Sequence, residues 1–356
     1  MLTKKTEGDI MELSERKLKI LQAIVGDYIR YAEPVGSRTL SKKYDLGISA
    51  ATIRNEMADL EEMGLLTHPH TSAGRVPSDK AYRLYVNSLM EKYELPDADK
   101  FAIESRITSN ITELDRTLQR ASQLLSELTN LTAFAMTPAQ DSNRLKYVNI
   151  LPVDEKIVVL MIVAESGKIT NTAVRLKTGY DPQQLEILSK VMTHNYKGEL
   201  LSSILTANII EDLQKDVASI ALMARDIVPS FMKTLENMLD VELYVEGLDK
   251  IFYIPEYSDL NRAKMFMDMV SKKDELERVL LNRDSGVMIT IGGEHSDENM
   301  KDCSLITASY HVDGKFVGKI GVVGPTRMRY GEVTSIIEYL TENLDNAFKL
   351  TEGEHK

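Results

Sequence analysis

PVGSRTLSKKYDLGISAATIRNEMADLEEMGLLTHPHTSAGR, residues 34–75, holds two short helical patterns, a turn between them and a polar stretch with strand character after them. The first pattern opens at Ser37, runs through Leu40 to Tyr44, and breaks at Asp45, Leu46 and Gly47. The second opens at Ser49, and Ala50, Ile53, Met57 and Leu60 then recur every three or four residues. One face of that helix is therefore apolar and must be buried. Ala51, Thr52 and Asn55 fall opposite the stripe, with Arg54 on its flank.

A small, polar outward face at a helix start lets backbone approach a groove closely. Asn can bond adenine there, and Arg can bond guanine through two hydrogen bonds. Leu65 to His68 then reads as a strand, Thr71 to Gly74 as a turn, and Arg75 and Val76 as a returning strand closed by Pro77. Helix, turn, helix and ribbon in this order predict a winged helix-turn-helix. On that reading Arg38 and Thr39 contact phosphate. Ser49 opens the reading helix, Ala51, Thr52, Arg54 and Asn55 read bases, and Ser72 and Arg75 hold the adjacent DNA backbone. Upstream, Leu18, Leu21, Val25 and Tyr28 share one face of a supporting helix. Downstream, Ser78 caps a helix whose Lys80, Tyr82, Arg83 and Tyr85 read as core and solvated surface more readily than as a phosphate-contacting face.

The segment from Ser37 to Val86 resembles the N-terminal region of the heat-inducible transcription repressor family HrcA. The resemblance continues through YVEGLDKIF (Tyr244–Phe252) and IGVVGPTRMRYGEV (Ile320–Val333), and so spans nearly the whole chain. It implies a repressor of chaperone operons that binds inverted-repeat operator DNA as a homodimer, with a GroEL-type chaperonin as modulator. It also implies a GAF-like α+β domain interrupted by an inserted dimerisation domain.

The 356 residues are enough for two or three domains, and 43% apolar with 27% charged residues is an ordinary globular composition. The net charge of −11 is uneven. Residues 1–92 carry 14 Lys and Arg against 13 Asp and Glu, and the remainder 29 against 41, so a near-neutral head precedes an acidic body. An acidic body repels the DNA backbone and favours contact through the head, while a neutral head gives modest affinity unless two act together. Cys303 is the single cysteine and excludes an internal disulfide. With no apolar N-terminal core and no apolar run longer than Ile157 to Ala164, a cytoplasmic, non-membrane protein is expected.

Beyond Leu95–Asp97, Ile107, Ile111, Leu114, Leu118, Ala121, Leu125 and Leu128 predict one helix of three heptads. It reads either as a coiled-coil seam or, preferably, as a helix lying on the body's sheet. Strands are expected at 147–153, 157–164 and 168–176, a helical block at 181–240, and strands again at 286–292, 304–311 and 316–323, the last two joined by a turn at Asp313–Gly314. A final helix carries Ile336, Ile337, Leu340 and Leu344. The fold class expected is α+β: a winged helix-turn-helix at 1–92, a GAF-like domain from 98–181 and 251–350, and a mainly helical insert at 182–250.

No nucleotide-binding loop, nucleophile elbow or zinc motif is present, so neither catalysis nor a cofactor is expected. His68 and His70 could share a strand face, but no carboxylate or cysteine lies near them in sequence to complete a metal site. Glu294, His295 and His311 are too scattered to argue a triad. Arg327 and Arg329, in GPTRMRY after a strand, could hold an anion; the alternative is a strand-to-helix connection whose turn is shaped by Gly324 and Pro325. The rival functional expectation is a transcription factor whose GAF-like pocket senses a metabolite.

Overall fold

The Ser14 side chain caps helix α1 (Glu15–Tyr31) by accepting from Lys17 N–H. The computed structural model describes residues 13–69, 74–108, 114–137, 143–216, 221–272, 276–277, 280, 286–312 and 315–353. His70, Ser72 and the Asp313–Gly314 turn lie outside the described residues. Helix α2 spans Ser37–Lys43 and α3 Ala50–Glu62. Gly36, not Ser37, occupies the cap position of α2 and makes no side-chain cap bond. Strands β1 (Leu66–Thr67) and β2 (Val76–Pro77) pair antiparallel, Leu66 opposite Pro77. Helix α4 (Asp79–Leu84) follows, capped by Ser78 and continued by a π-helical turn at Tyr85–Leu89.

The body supplies α5 (Asp97–Thr108), α6 (Leu114–Thr129) and β3 (Thr132–Thr137). After β3 come β4 (Leu145–Asp154), β5 (Ile157–Ala164), β6 (Ile169–Arg175), α7 (Pro182–Tyr196), α8 (Leu201–Ile204), α9 (Ile209–Asp216) and α10 (Ala221–Leu239). The chain then runs through β7 (Glu242–Glu246), α11 (Leu260–Ser271), β8 (Val287–Ile291), β9 (Cys303–Val312), β10 (Lys315–Pro325) and α12 (Tyr330–Gly353).

These elements make two compact units: Met1–Thr137 with Leu243–Lys356, and Pro138–Glu242. In the first, five strands lie in the order β7-β3-β10-β9-β8, and α6 and α12 pack on them. Ala133, Ala135, Ile306, Ala308, Ile320 and Val322 from the strands join Leu118, Leu125, Ile337 and Leu340 in one core, which runs on into Ile24, Ile53 and Leu60 of the head. In the second unit β4-β5-β6 form a separate antiparallel sheet whose Val148, Leu160 and Val174 pack with Leu188, Met192 and Phe231 of the helices.

Two expectations are corrected. The strands at 145–175 do not belong to the body's sheet, and the second unit is Pro138–Glu242 rather than a helical block at 182–250. The reason is that β3 and β7 lie outside the expected strand list. Once they are in place, the chain leaves the five-stranded sheet at one strand and returns at its neighbour. The heptad run, for its part, is not one straight helix. Arg106 and Glu127 form an ion pair, whereas twenty-one residues of continuous helix would hold them about 31 Å apart. Leu118, Ala121 and Leu125 face the sheet and its helices, and Ile111 lies outside the described residues.

Candidate nucleic-acid interface

Helix α3 is anchored from behind and open in front. Ile53, Met57 and Leu60 are 0%, 4% and 0% exposed. Ser49 caps the helix, its Oγ accepting from Thr52 N–H at 3.2 Å and lying 3.0 Å from Thr52 Oγ1. This bond fixes the first turn, so Ala51, Arg54 and Asn55 project into solvent while Thr52 is half-buried. Arg38 and Thr39, in the first turn of α2, are also exposed.

The charges around this face are distributed unevenly. Lys17 bonds Glu56 at 2.8 Å and Asp59 at 2.7 Å, and those two carboxylates raise its pKa. Lys43 bonds the buried Asp27 at 2.7 Å and lies 4.1 Å from the centre of the Tyr31 ring. Asp27 also accepts from Tyr44 Oη at 2.6 Å, which ties the end of α2 to α1. Among the described residues Arg38 and Arg54 have no such carboxylate partner. Unneutralised guanidinium groups beside the positive end of a helix attract anions, and Asn55 and Thr52 add neutral hydrogen-bonding groups on the same surface.

The ribbon is fixed at its base. Arg75 N–H and C=O both bond the backbone of Val35, at 2.9 Å each, and its Nη2 meets Glu61 at 2.7 Å. His68 pairs with the same carboxylate. Desolvation would raise the Glu61 pKa, but the His68 hydrogen bond and the Arg75 charge outweigh it and hold the group below the usual carboxylate value. Arg75 is thus placed beside α3's C-terminal end, with its side chain on Glu61, and Ser72 falls outside the described residues.

The two arginines of GPTRMRY have different surroundings. Arg327 pairs with Glu256 through Nε and Nη2 and donates from Nη1 to the Ile29 carbonyl at 2.9 Å, so the anion it meets is the chain's own carboxylate. Arg329 is largely exposed and lies 3.3 Å from Glu332, one helical turn away. Glu294, His295 and His311 do not converge. Glu294 is paired with Arg83, and His311 lies seven residues along β9 from Ser304, the partner of Ile291, which is about 24 Å of strand. Sequence pattern marked neither Glu61, Asp27 nor Glu256, because nothing local distinguishes a carboxylate that meets a partner far along the chain.

The HrcA protein C-terminal domain model matches residues 115–334. A heat-inducible transcription repressor HrcA from Alkaliphilus metalliredigens is 39% identical over 344 residues, covering 95% of this chain and all of that protein. The Clostridium tetani repressor of the same name is 40% identical over 342 residues, covering 96% of this chain and 97% of its own length. The chain belongs to the HrcA family. HrcA proteins are transcription repressors and not enzymes, and nothing in this match favours the metabolite-sensing alternative. The domain model begins at 115, so it is the full-length HrcA relatives that carry the likeness through the head. The crystal structure of a hypothetical protein shares the fold at a TM-score of 0.70 and 22% identity, covering 96% of this chain and all of that one. No helix among the described residues is long and apolar enough to cross a membrane.

Proposed function

We propose that this heat-inducible transcription repressor binds an inverted-repeat operator in front of chaperone genes as a homodimer, through a winged helix-turn-helix at its N-terminus, and blocks their transcription. The observation that carries the reading is α3. Ile53, Met57 and Leu60 of its apolar stripe are buried to 4% exposure or less, while Ala51, Arg54 and Asn55 stand in solvent and Arg54 has no carboxylate partner among the described residues. A helix held this way can enter a major groove, Arg54 and Asn55 reaching base edges while Arg38 and Thr39 meet phosphate. The β1–β2 ribbon is the wing, and the five-stranded sheet with its helices is the GAF-like body.

Asn55→Ala tests the base-reading role. It should cost about 1–3 kcal/mol on the specific site with little loss on random duplex. Equal loss on both, measured by titration at fixed salt, would remove Asn55 from the reading face.

Modulation by a GroEL-type chaperonin belongs to the same proposal and rests on family likeness. Operator occupancy after refolding with chaperonin should exceed that without it, and equal occupancy would remove this part.

A further inference from the structure

A second set of polar contacts joins the head to the five-stranded body, away from the α3 face. Helix α4 presents Asp79 and Arg83 one turn apart to the loop that ends β8. Asp79 Oδ2 accepts from Gly293 N–H at 2.8 Å. Arg83 Nε donates to Glu294 Oε1 at 2.6 Å, while its Nη2 reaches both Glu294 Oε2 and the Ile289 carbonyl, the latter at 2.6 Å. Glu294 is itself oriented, its Oε2 accepting from Ile291 N–H at 2.8 Å.

The loop is shaped for this approach. Gly292 has φ +49°, and a Cβ there would run into the Asp79 carboxylate. A further contact comes from Arg327 of the body, which is paired with Glu256 and donates to the Ile29 carbonyl in the last turn of α1. Between these points the buried rings of Tyr82 and Tyr330 lie 5.9 Å apart. A head that swung freely on a tether would need no such directional contacts. A bidentate arginine–carboxylate pair fixes orientation as well as distance.

We propose that Asp79, Arg83 and Arg327 are positioning residues for operator binding: they lock the head at one attitude on the body, so that paired heads present their α3 helices at one fixed separation. The inference rests on the reading of α3 as a DNA reader in a dimer. Its consequence is separate from that reading. DNA rotates once every 10–10.5 base pairs or so, and a locked pair of heads accepts two half-sites only at matching separation and phase. Loosened heads adapt to several spacings.

The full-length chain is used to select its preferred repeat from a random duplex library. Binding is then measured on that repeat, on repeats with the half-sites moved apart by 2, 5 and 10 base pairs, and on a single half-site. The unaltered chain should lose at least about tenfold when the separation grows by 5 base pairs, because simultaneous engagement of both heads fails. Arg83→Gln should keep single half-site affinity while discriminating less between spacings. Gly292→Ala, which pushes Asp79 away without touching the head's own residues, should do the same.

Full spacing discrimination in both Arg83→Gln and Gly292→Ala, with dimer and melting profile unchanged, overturns the proposal. A chain that selects no sequence and binds no half-site removes the DNA-reading assignment itself, and this inference with it.

Discussion

His295 follows Glu294 at the end of the β8 loop, 7% exposed as a residue and with its Nε2 without a hydrogen-bond partner among the described residues. Desolvation lowers its pKa from the ordinary 6.5, against the opposing pull of the Glu294 and Asp297 charges and of the Thr290 and Cys303 backbone. A base whose folded pKa is depressed binds fewer protons folded than unfolded. Its stabilising contribution is therefore complete above the unfolded value and falls away as pH drops from there towards the folded value. The melting temperature should decline from about pH 7.5 to pH 5.5 more steeply in the native chain than in His295→Gln. Parallel curves for the two would show that the imidazole is not the group responsible. The sequence named this histidine only in a scattered trio with Glu294 and His311; its burial was not legible, because burial is settled by the strands around it. The stripe of Ile53, Met57 and Leu60 was legible, since a helical period needs only neighbours. The partners of Arg75 and Arg327 were not: Glu256 is 71 residues from Arg327, and no local rule connects them.

At the scale of elements, what the sequence disclosed depended on composition. Strands rich in Val and Ile, such as β5 (Ile157–Ala164), stand where they are expected. β3, reading TAFAMT, is fully buried, but its two alanines and its methionine dilute the strand preference of Thr132, Phe134 and Thr137, and no Val or Ile marks it. β7, reading ELYVE, is half-buried and follows directly on a helix. Missing those two strands is what assigned β4 to β6 to the wrong sheet, since six visible strands in two groups invite pairing into one. The same elements show how an edge is closed once its context is known. β4 has β5 on one side, and on the other Thr193 and Ser189 of α7 receive the amides of Val148 and Ile150 at 3.0 Å each. Four helical residues rise about 6 Å and two strand residues about 6.8 Å, so hydroxyls four apart on a helix can serve alternate strand amides. In the heptad run the period identified the buried face of α6 correctly, but period alone cannot show where a helix stops. The Arg106–Glu127 pair decides that.

For the whole molecule, the division at Pro138 and Glu242 carries the strongest expectation. The core of Leu160, Leu188, Met192, Phe231 and Leu235 lies wholly within 138–242, and the core of the head and the five-stranded body lies wholly outside it. A segment with its own core and sheet can fold alone. The host should survive its removal, because Thr132 Oγ1 donates to the Gly247 carbonyl at 3.2 Å. The start of β3 therefore meets the end of β7, which places Thr137 near Leu243 on adjacent strands, a gap that a tight turn can close. The excised fragment 138–242 should give a dispersed amide spectrum and one cooperative denaturant transition, and so should the chain in which a short glycine-rich turn replaces it. If this unit is the dimerisation insert, the shortened chain will be monomeric by light scattering and will bind a single half-site while losing preference for the repeat. A shortened chain that folds, stays dimeric and keeps that preference would place the dimer contact in the first unit. A fragment without dispersed amides would show that the second core cannot stand alone.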